Sequence, residues 1–136
     1  MKIGKINKTN KTPFVHLCAD KGTFILEGVI LPEDTYEFFK PITLYISEYL
    51  KEPLTNTKVI LKLDYFNTSA SRMLYNLLKS FNDASFKTQS IIEFHYEYDD
   101  EDLSEVCDEF AEMLSNITFE KFPFELTNAP TFQDVV

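Results

Sequence analysis

The stretch Lys58–Phe81 changes its hydrophobic period midway, and this change constrains the fold more than any other feature. Lys58–Phe66 alternates apolar and polar side chains with the period of two that is typical of a half-buried β-strand. From Ala70 the apolar residues recur instead at helical spacing, along one stripe that ends at Phe81. The stretch therefore predicts a strand that runs into an amphipathic helix through a polar joint, Asn67–Ser71, which contains no glycine.

A second alternating strand is predicted at Ser90–Tyr98, where Glu93 and His95 share one face and Phe94 lies on the other. Strands covered by helices on both faces would be continuously apolar, and neither of these two strands is. We therefore expect helices mainly on one face of the sheet, with the other face largely open to water. Further strands are predicted at Phe14–Cys18, Thr23–Val29 and, at an edge because of its proline, Phe122–Leu126.

The remaining segments predict helices between the strands. Pro32, Glu33 and Asp34 suit a helix start, and Pro41 then leaves two alternatives, either two short helices or one kinked helix. The acidic run Asp99–Asp102 is typical of a solvated helix N-terminus, and it lacks the spacing and glycine of a calcium-binding loop. The predicted fold class is α/β, a single domain with a mixed sheet of four to five strands.

Composition narrows the classes of partner. The chain has 136 residues, 44% of them hydrophobic, which suffices for one domain with a real core. Its net charge of −9 argues against binding to nucleic acid or to anionic membranes, since both need an excess of Lys and Arg. With no apparent signal peptide or membrane span, and with Cys18 and Cys107 far apart, the chain is expected to be cytoplasmic with reduced thiols.

The chain is predicted to divide into three parts. Residues 1–12 are polar and are expected to form a flexible arm, residues 13–127 are expected to form the folded domain, and residues 128–136 are expected to form a tail.

No catalytic motif is evident in the sequence. It lacks the Walker A loop, the dinucleotide-binding glycine motif and the nucleophile elbow, and no resident cofactor or metal is predicted. His95 with Glu93 and a hydroxyl of the joint is the one arrangement that keeps a small hydrolase or metal enzyme as an alternative. A surface histidine among acids is the simpler interpretation of that pair.

The joint itself has two interpretations that the residues leave open. Asn67, Thr68 and Ser69 are all preferred helix caps, each of which accepts a hydrogen bond from an otherwise unpaired backbone N–H. A hydroxyl at a helix N-terminus is also a place where a phosphate is well tolerated, because free N–H groups and the helix dipole favour negative charge. Arg72, one turn along, would screen such a charge and Asp64 would oppose it.

Three segments together resemble the SiaC family of regulatory phosphoproteins. They are GVILPEDTYEFFKPITLYISEYL at Gly28–Leu50, LDYFNTSASRMLYNLL at Leu63–Leu78 and IEFHYEYDDEDLSEVCDEFAEML at Ile92–Leu114. The resemblance covers roughly residues 13–127 and is most specific at the sequence YFNTS. It implies a fold similar to the STAS-like anti-sigma-factor antagonists. Those proteins usually have Asp-Ser-Ser-Gly at the joint, where this chain has Asn67-Thr68-Ser69-Ala70.

The resemblance implies a non-enzymatic switch in a partner-switching pathway. A kinase of the anti-sigma type would phosphorylate Thr68 and a PP2C-like phosphatase would remove the phosphate. ATP and metal would belong to these partners, and the output partner would be a diguanylate cyclase, linking the chain to cyclic di-GMP and biofilm control. The alternative within the same scaffold is an antagonist that acts on an anti-sigma kinase. The partner interface would surround the phosphate acceptor at Tyr65, Phe66, Asn67, Ser69, Ser71 and Arg72.

Overall fold

The fold is an α/β structure in which strands and helices alternate after an N-terminal β-meander. The computed structural model describes residues 1–126 and 131–136. The strands are β1 (Gly4–Ile6), β2 (Phe14–Cys18), β3 (Thr23–Ile30), β4 (Asn56–Phe66), β5 (Gln89–Glu97) and β6 (Thr118–Phe124). The helices are α1 (Thr35–Tyr49), α2 (Thr68–Asp83) and α3 (Glu101–Met113), and one turn of 3-10 helix follows at Phe132–Asp134.

The six strands lie side by side in chain order, from β1 to β6. The β1–β2 and β2–β3 pairs are antiparallel, and the three later pairs are parallel. Each parallel connection contains one helix, and right-handed crossovers made successively in one direction place all three helices on the same face. The predicted class and the one-sided packing of helices are confirmed.

The sheet has one strand more than predicted, because β1 adds to its edge. The expectation of a flexible arm over residues 1–12 is wrong for Gly4–Ile6, which pairs with β2. Tyr45 of α1 secures this strand: its hydroxyl donates to the Lys2 carbonyl at 2.7 Å and accepts from the Ala19 N–H at 3.0 Å. So short a strand carries too few apolar residues for periodicity to reveal it.

The helices begin where the sequence places their polar caps. Asp34 accepts a hydrogen bond from the Glu37 N–H, and Asp100 accepts one from the Leu103 N–H. Asp100 thus confirms the acidic run as a helix N-terminus. Of the two alternatives for Pro41, the structure has a single helix that contains the proline.

The main core lies between the sheet and the helices. Phe24 of β3 occupies its centre, with ring centroids 4.9 Å from Tyr49 of α1 and 5.9 Å from Phe81 of α2.

Cys18 and Cys107 are both buried free thiols, and burial, the largest cause, raises the pKa of Cys107 to about 11. A buried thiol that stays protonated is unreactive and serves to fill space.

The opposite sheet face, called the open face below, is not open at its centre. The expectation of a largely solvated face is wrong there, because Phe14, Ile25 and Ile60 form a small buried cluster with Phe132 packed on it. Phe132 belongs to the part of the predicted tail that the structure describes, and residues 127–130 lie outside the described part. The segment Thr131–Val136, called the crossing segment below, therefore packs on the domain.

A β-bulge separates the two halves of β4. Gly28 pairs with Leu63 while the next residue, Val29, pairs with Tyr65, so β4 contains one extra residue, Asp64. The extra residue reverses the faces beyond it: Tyr65 is 56% exposed, while Phe66 packs against the main core. The predicted alternation, with Tyr65 on the same face as Leu63, is wrong at this point.

Candidate phosphorylation and partner-binding site

Asn67 is the cap of α2. It has extended backbone angles, and its side-chain oxygen accepts the Ala70 N–H at 2.8 Å. Its carbonyl oxygen accepts the Ser71 N–H at 2.9 Å, which is the first helical hydrogen bond. The capping role that the sequence left open among several residues therefore belongs to Asn67, and Thr68 is the first residue inside the helix.

The hydroxyls of the joint differ in how solvent reaches them. Thr68 and Ser69 are exposed, whereas Ser71 is half-buried. The first N–H groups of any helix have no partner within it, and they give the N-terminus a partial positive charge. Thr68 thus presents its side chain at an electropositive backbone end, on a rigid helix of 16 residues.

A cleft of about 400 Å³ lies beside Thr68 between α2 and α3. Arg72 lines it one helical turn beyond Thr68, and Tyr75, Phe110 and Met113 supply apolar lining. Met113 is 55% exposed. The joint is therefore continuous with a partly apolar surface of the kind that protein partners contact.

Tyr65 and Phe66 differ in whether a partner could contact them. The bulge turns the Tyr65 ring into solvent before the chain reaches Asn67, whereas Phe66 is half-buried and packs against the main core. Three of the residues predicted around the acceptor are exposed, namely Tyr65, Ser69 and Arg72. The other three are half-buried, namely Phe66, Asn67 and Ser71.

Negative charge collects at the carboxyl end of β5. The pKa of Glu97 is raised, first by desolvation and then by the charges of Asp99, Asp100 and Asp64. Asp64 belongs to the bulge of β4, so this repulsion connects the loop before α3 with the strand that leads to Thr68. A phosphate on Thr68 would add to an existing negative field.

His95 and Glu93 form a pair, but one that a substrate cannot easily reach. Glu93 Oε1 lies 3.0 Å from His95 Nε2, and the His95 ring is 8% exposed, between Phe122 at 4.7 Å and Phe132 at 5.0 Å. Burial favours a neutral Glu93, yet hydrogen bonds from His95 and Lys58 outweigh it, so the pKa of Glu93 is lowered. Within residues 1–126 and 131–136, no group of three His, Cys, Asp or Glu side chains could hold a metal ion.

A model of the SiaC family of regulatory phosphoproteins matches residues 6–124, which is most of the chain. The chain belongs to the SiaC family. A relative from Pseudomonas aeruginosa strain UCBPP-PA14, itself uncharacterised, is 25% identical over 119 residues, or 87% of this chain and 90% of the relative.

Solved structures of SiaC from P. aeruginosa share the fold. Apo-SiaC superposes with a TM-score of 0.79 at 23% identity, covering 90% of this chain and 99% of that one. A second structure holds the diguanylate cyclase SiaD in complex with its activator SiaC. It gives a TM-score of 0.81 at 24% identity, covering 88% of this chain and 98% of the matched chain.

Two residues of the open face, Glu27 and Lys62, are not predicted by the sequence pattern. Glu27 and Lys62 form a buried ion pair on the open face, with Glu27 Oε2 3.4 Å from Lys62 Nζ. A lone acid inside the apolar run FILEGVI was the available signal for Glu27, but nothing local identifies its partner.

No helix in the described part of the chain is both long and apolar enough to cross a membrane.

Proposed function

We propose that this SiaC-family protein is a non-enzymatic regulatory phosphoprotein of a partner-switching pathway, with Thr68 as the phosphorylated residue. The observation that carries the proposal is the division of roles at the joint. Asn67 supplies the cap, so the exposed Thr68 hydroxyl at the start of α2 is available for modification without loss of the helix end. The match to a family of regulatory phosphoproteins supports the same role.

The proposed switch is electrostatic and needs no large change in fold. A phosphate adds about −1.5 to −2 charges at neutral pH. Unmodified, the joint offers a partner the Tyr65 ring, the neutral Thr68 hydroxyl and the partly apolar cleft beside Arg72. With the phosphate, the same contact would bury a dianion close to the acidic end of β5, and losing about 3 kcal/mol weakens binding more than ~100-fold.

The proposed partners are proteins. An anti-sigma-type kinase adds the phosphate, a PP2C-like phosphatase removes it, and the unphosphorylated form binds a diguanylate cyclase and thereby controls cyclic di-GMP. The complex of SiaD with SiaC supports a cyclase as the output partner over an anti-sigma kinase. The buried position of His95 supports a non-enzymatic role over a hydrolase built on His95 and Glu93.

The first test is to map the phosphate. The full chain is incubated with ATP and the anti-sigma-type kinase of the same genome, and intact-mass and peptide mass spectrometry follow. We expect one phosphate on Thr68, none in Thr68→Ala, and unchanged modification in the matched control Ser69→Ala, whose hydroxyl is also exposed. A kinase that is active on another substrate but leaves this chain unmodified, or modifies Ser69 instead, would contradict the proposal.

A further inference from the structure

A row of paired residues runs across the open face from β2 to β6. Phe14 pairs with Glu27, Glu27 with Lys62, Lys62 with His95, and His95 with Phe122. Neighbours on one face of a sheet contact each other directly. The row therefore places an ion pair between aromatic side chains, on the face opposite α1, α2 and α3.

The charged centre of this row is buried beneath the crossing segment. Glu27 is 6% exposed and Lys62 8%, in a position where an unsatisfied carboxylate would be strongly unfavourable. Both Glu27 oxygens accept backbone N–H groups: Oε2 from Phe132 at 3.1 Å and Oε1 from Gln133 at 3.0 Å. Lys62 lies 3.4 Å from Glu27 Oε2 and stacks over the Phe124 ring at 5.0 Å.

Beside this carboxylate lies an apolar seat for one aromatic side chain. Phe132 packs on the cluster of Phe14, Ile25 and Ile60, and its ring meets His95 edge-on at 5.0 Å. The other end of the crossing segment is held more loosely, since Val135 is 76% exposed. The half-buried Phe132 ring and two adjacent backbone N–H donors thus attach the segment to the open face.

We propose that the open face is a recognition site for a short peptide segment that forms one turn of 3-10 helix, that its resident ligand is Thr131–Val136 of the same chain, and that this segment detaches as a unit. The Glu27 carboxylate accepts hydrogen bonds from two successive backbone N–H groups. The apolar seat takes the aromatic side chain of the residue that bears the first of these N–H groups. Detachment would expose Glu27, Lys62, His95 and the apolar cluster as a second interaction surface, on the face opposite α2. This proposal rests on none of the residues assigned to the phosphate switch.

The test combines substitution with a peptide added in trans, using the full chain throughout. Phe132→Ala empties the apolar seat, while the matched control Gln133→Ala keeps the backbone N–H that Glu27 accepts and removes only an exposed side chain. Hydrogen exchange followed by NMR reports the amides at 132 and 133. We expect Phe132→Ala to speed their exchange at least ~10-fold while β3–β5 amides stay protected, and Gln133→Ala to leave both unchanged.

The peptide arm measures recognition itself. An acetylated peptide of sequence TFQDVV is expected to shift the Glu27 and His95 signals of Phe132→Ala saturably, and to bind the unsubstituted chain at least ~10-fold more weakly because the site is occupied. The peptide TAQDVV is expected not to bind. Unchanged exchange in Phe132→Ala, equal binding of the peptide to both proteins or to neither, or loss of protection throughout the sheet would each overturn the proposal.

Discussion

At the joint, the Asn67 side-chain oxygen accepts the Ala70 N–H at 2.8 Å, while the neighbouring Thr68 side chain is exposed. Residue types alone made both residues candidates for the cap, since Asn and Thr are each good caps, although only Thr68 has a hydroxyl that could accept a phosphate. Their backbone positions distinguish them, because Asn67 is extended and Thr68 is already helical. The sequence thus predicted which segment matters, and only the geometry separated the cap from the candidate acceptor.

This separation predicts different effects on stability. Asn67→Ala removes the cap and is expected to lower the free energy of unfolding by about 1 kcal/mol. Thr68→Ala removes an exposed side chain and is expected to change it by less than about 0.5 kcal/mol. Urea unfolding of both variants measures this difference. A loss in Thr68→Ala equal to that in Asn67→Ala would indicate a structural role for the threonine.

Tyr65 is expected to contribute to partner binding but not to stability. Its ring is 56% exposed beside the joint, and exposed aromatic side chains are frequent hot spots. Tyr65→Ala is expected to weaken binding of the proposed cyclase at least ~10-fold, with an unchanged unfolding curve. Tyr36→Ala is the matched control, because Tyr36 is 62% exposed on α1. Equal losses in the two variants would argue against an interface at the joint.

At the scale of elements, the bulge between β3 and β4 decides which side chains face solvent near the site. Strict alternation predicted Tyr65 on the same face as Leu63, and one extra residue in β4 reversed this. Gly28 lies at the same place with φ at +130°, a conformation that side-chain-bearing residues rarely adopt. Hydrophobic periodicity locates the strands, but it does not reveal a single inserted residue, because one residue of a bulge has no distinctive residue type.

Gly28→Ala tests the importance of this bulge. We expect a loss of about 1–3 kcal/mol, because the added Cβ forces a residue into an unfavourable backbone region. Gly4→Ala is the control, since Gly4 has no positive φ and its closest neighbours are the side chains of Tyr45 and Leu17. Thermal or urea unfolding provides the comparison, and a loss at Gly28 no larger than that at Gly4 would contradict it.

The pairing of β4 and β5 through Glu93 predicts a pH dependence. Glu93 Oε2 lies 3.2 Å from Lys58 Nζ, and the pKa of Glu93 is lowered from its usual 4.5. A lowered pKa means that the folded state favours the ionised carboxylate, so the contribution is present above pH 4.5 and is lost as the pH falls through the folded-state pKa. The unsubstituted chain should therefore have a larger free energy of unfolding than Glu93→Gln at neutral pH, and this stability advantage should shrink below pH 4.5.

Urea unfolding from pH 7 to about pH 3 would follow that advantage. Glu112→Gln, on the exposed side of α3, serves as the control for loss of a carboxylate. An advantage that stays constant across the range would mean that the ionised form of Glu93 is not favoured by folding.

At the scale of the whole molecule, the two faces of the sheet serve different purposes. The helix face holds the main core, and its periodicities made the α/β class predictable. The open face is covered by the crossing segment, through contacts such as Glu27 with Phe132 that join residues far apart in the chain. Local patterns carry no information about such contacts, which is why the sequence predicted a tail where the structure has a packed segment.

In the proposed switch, a phosphate on Thr68 releases the output partner. The most direct measurement is calorimetric titration of the unmodified chain and of the chain fully phosphorylated on Thr68 into the diguanylate cyclase of the same genome. We expect tight binding of the unmodified chain and of Thr68→Ala, and at least ~100-fold weaker binding of the phosphorylated chain. Equal affinities for the phosphorylated and unmodified chains would contradict it.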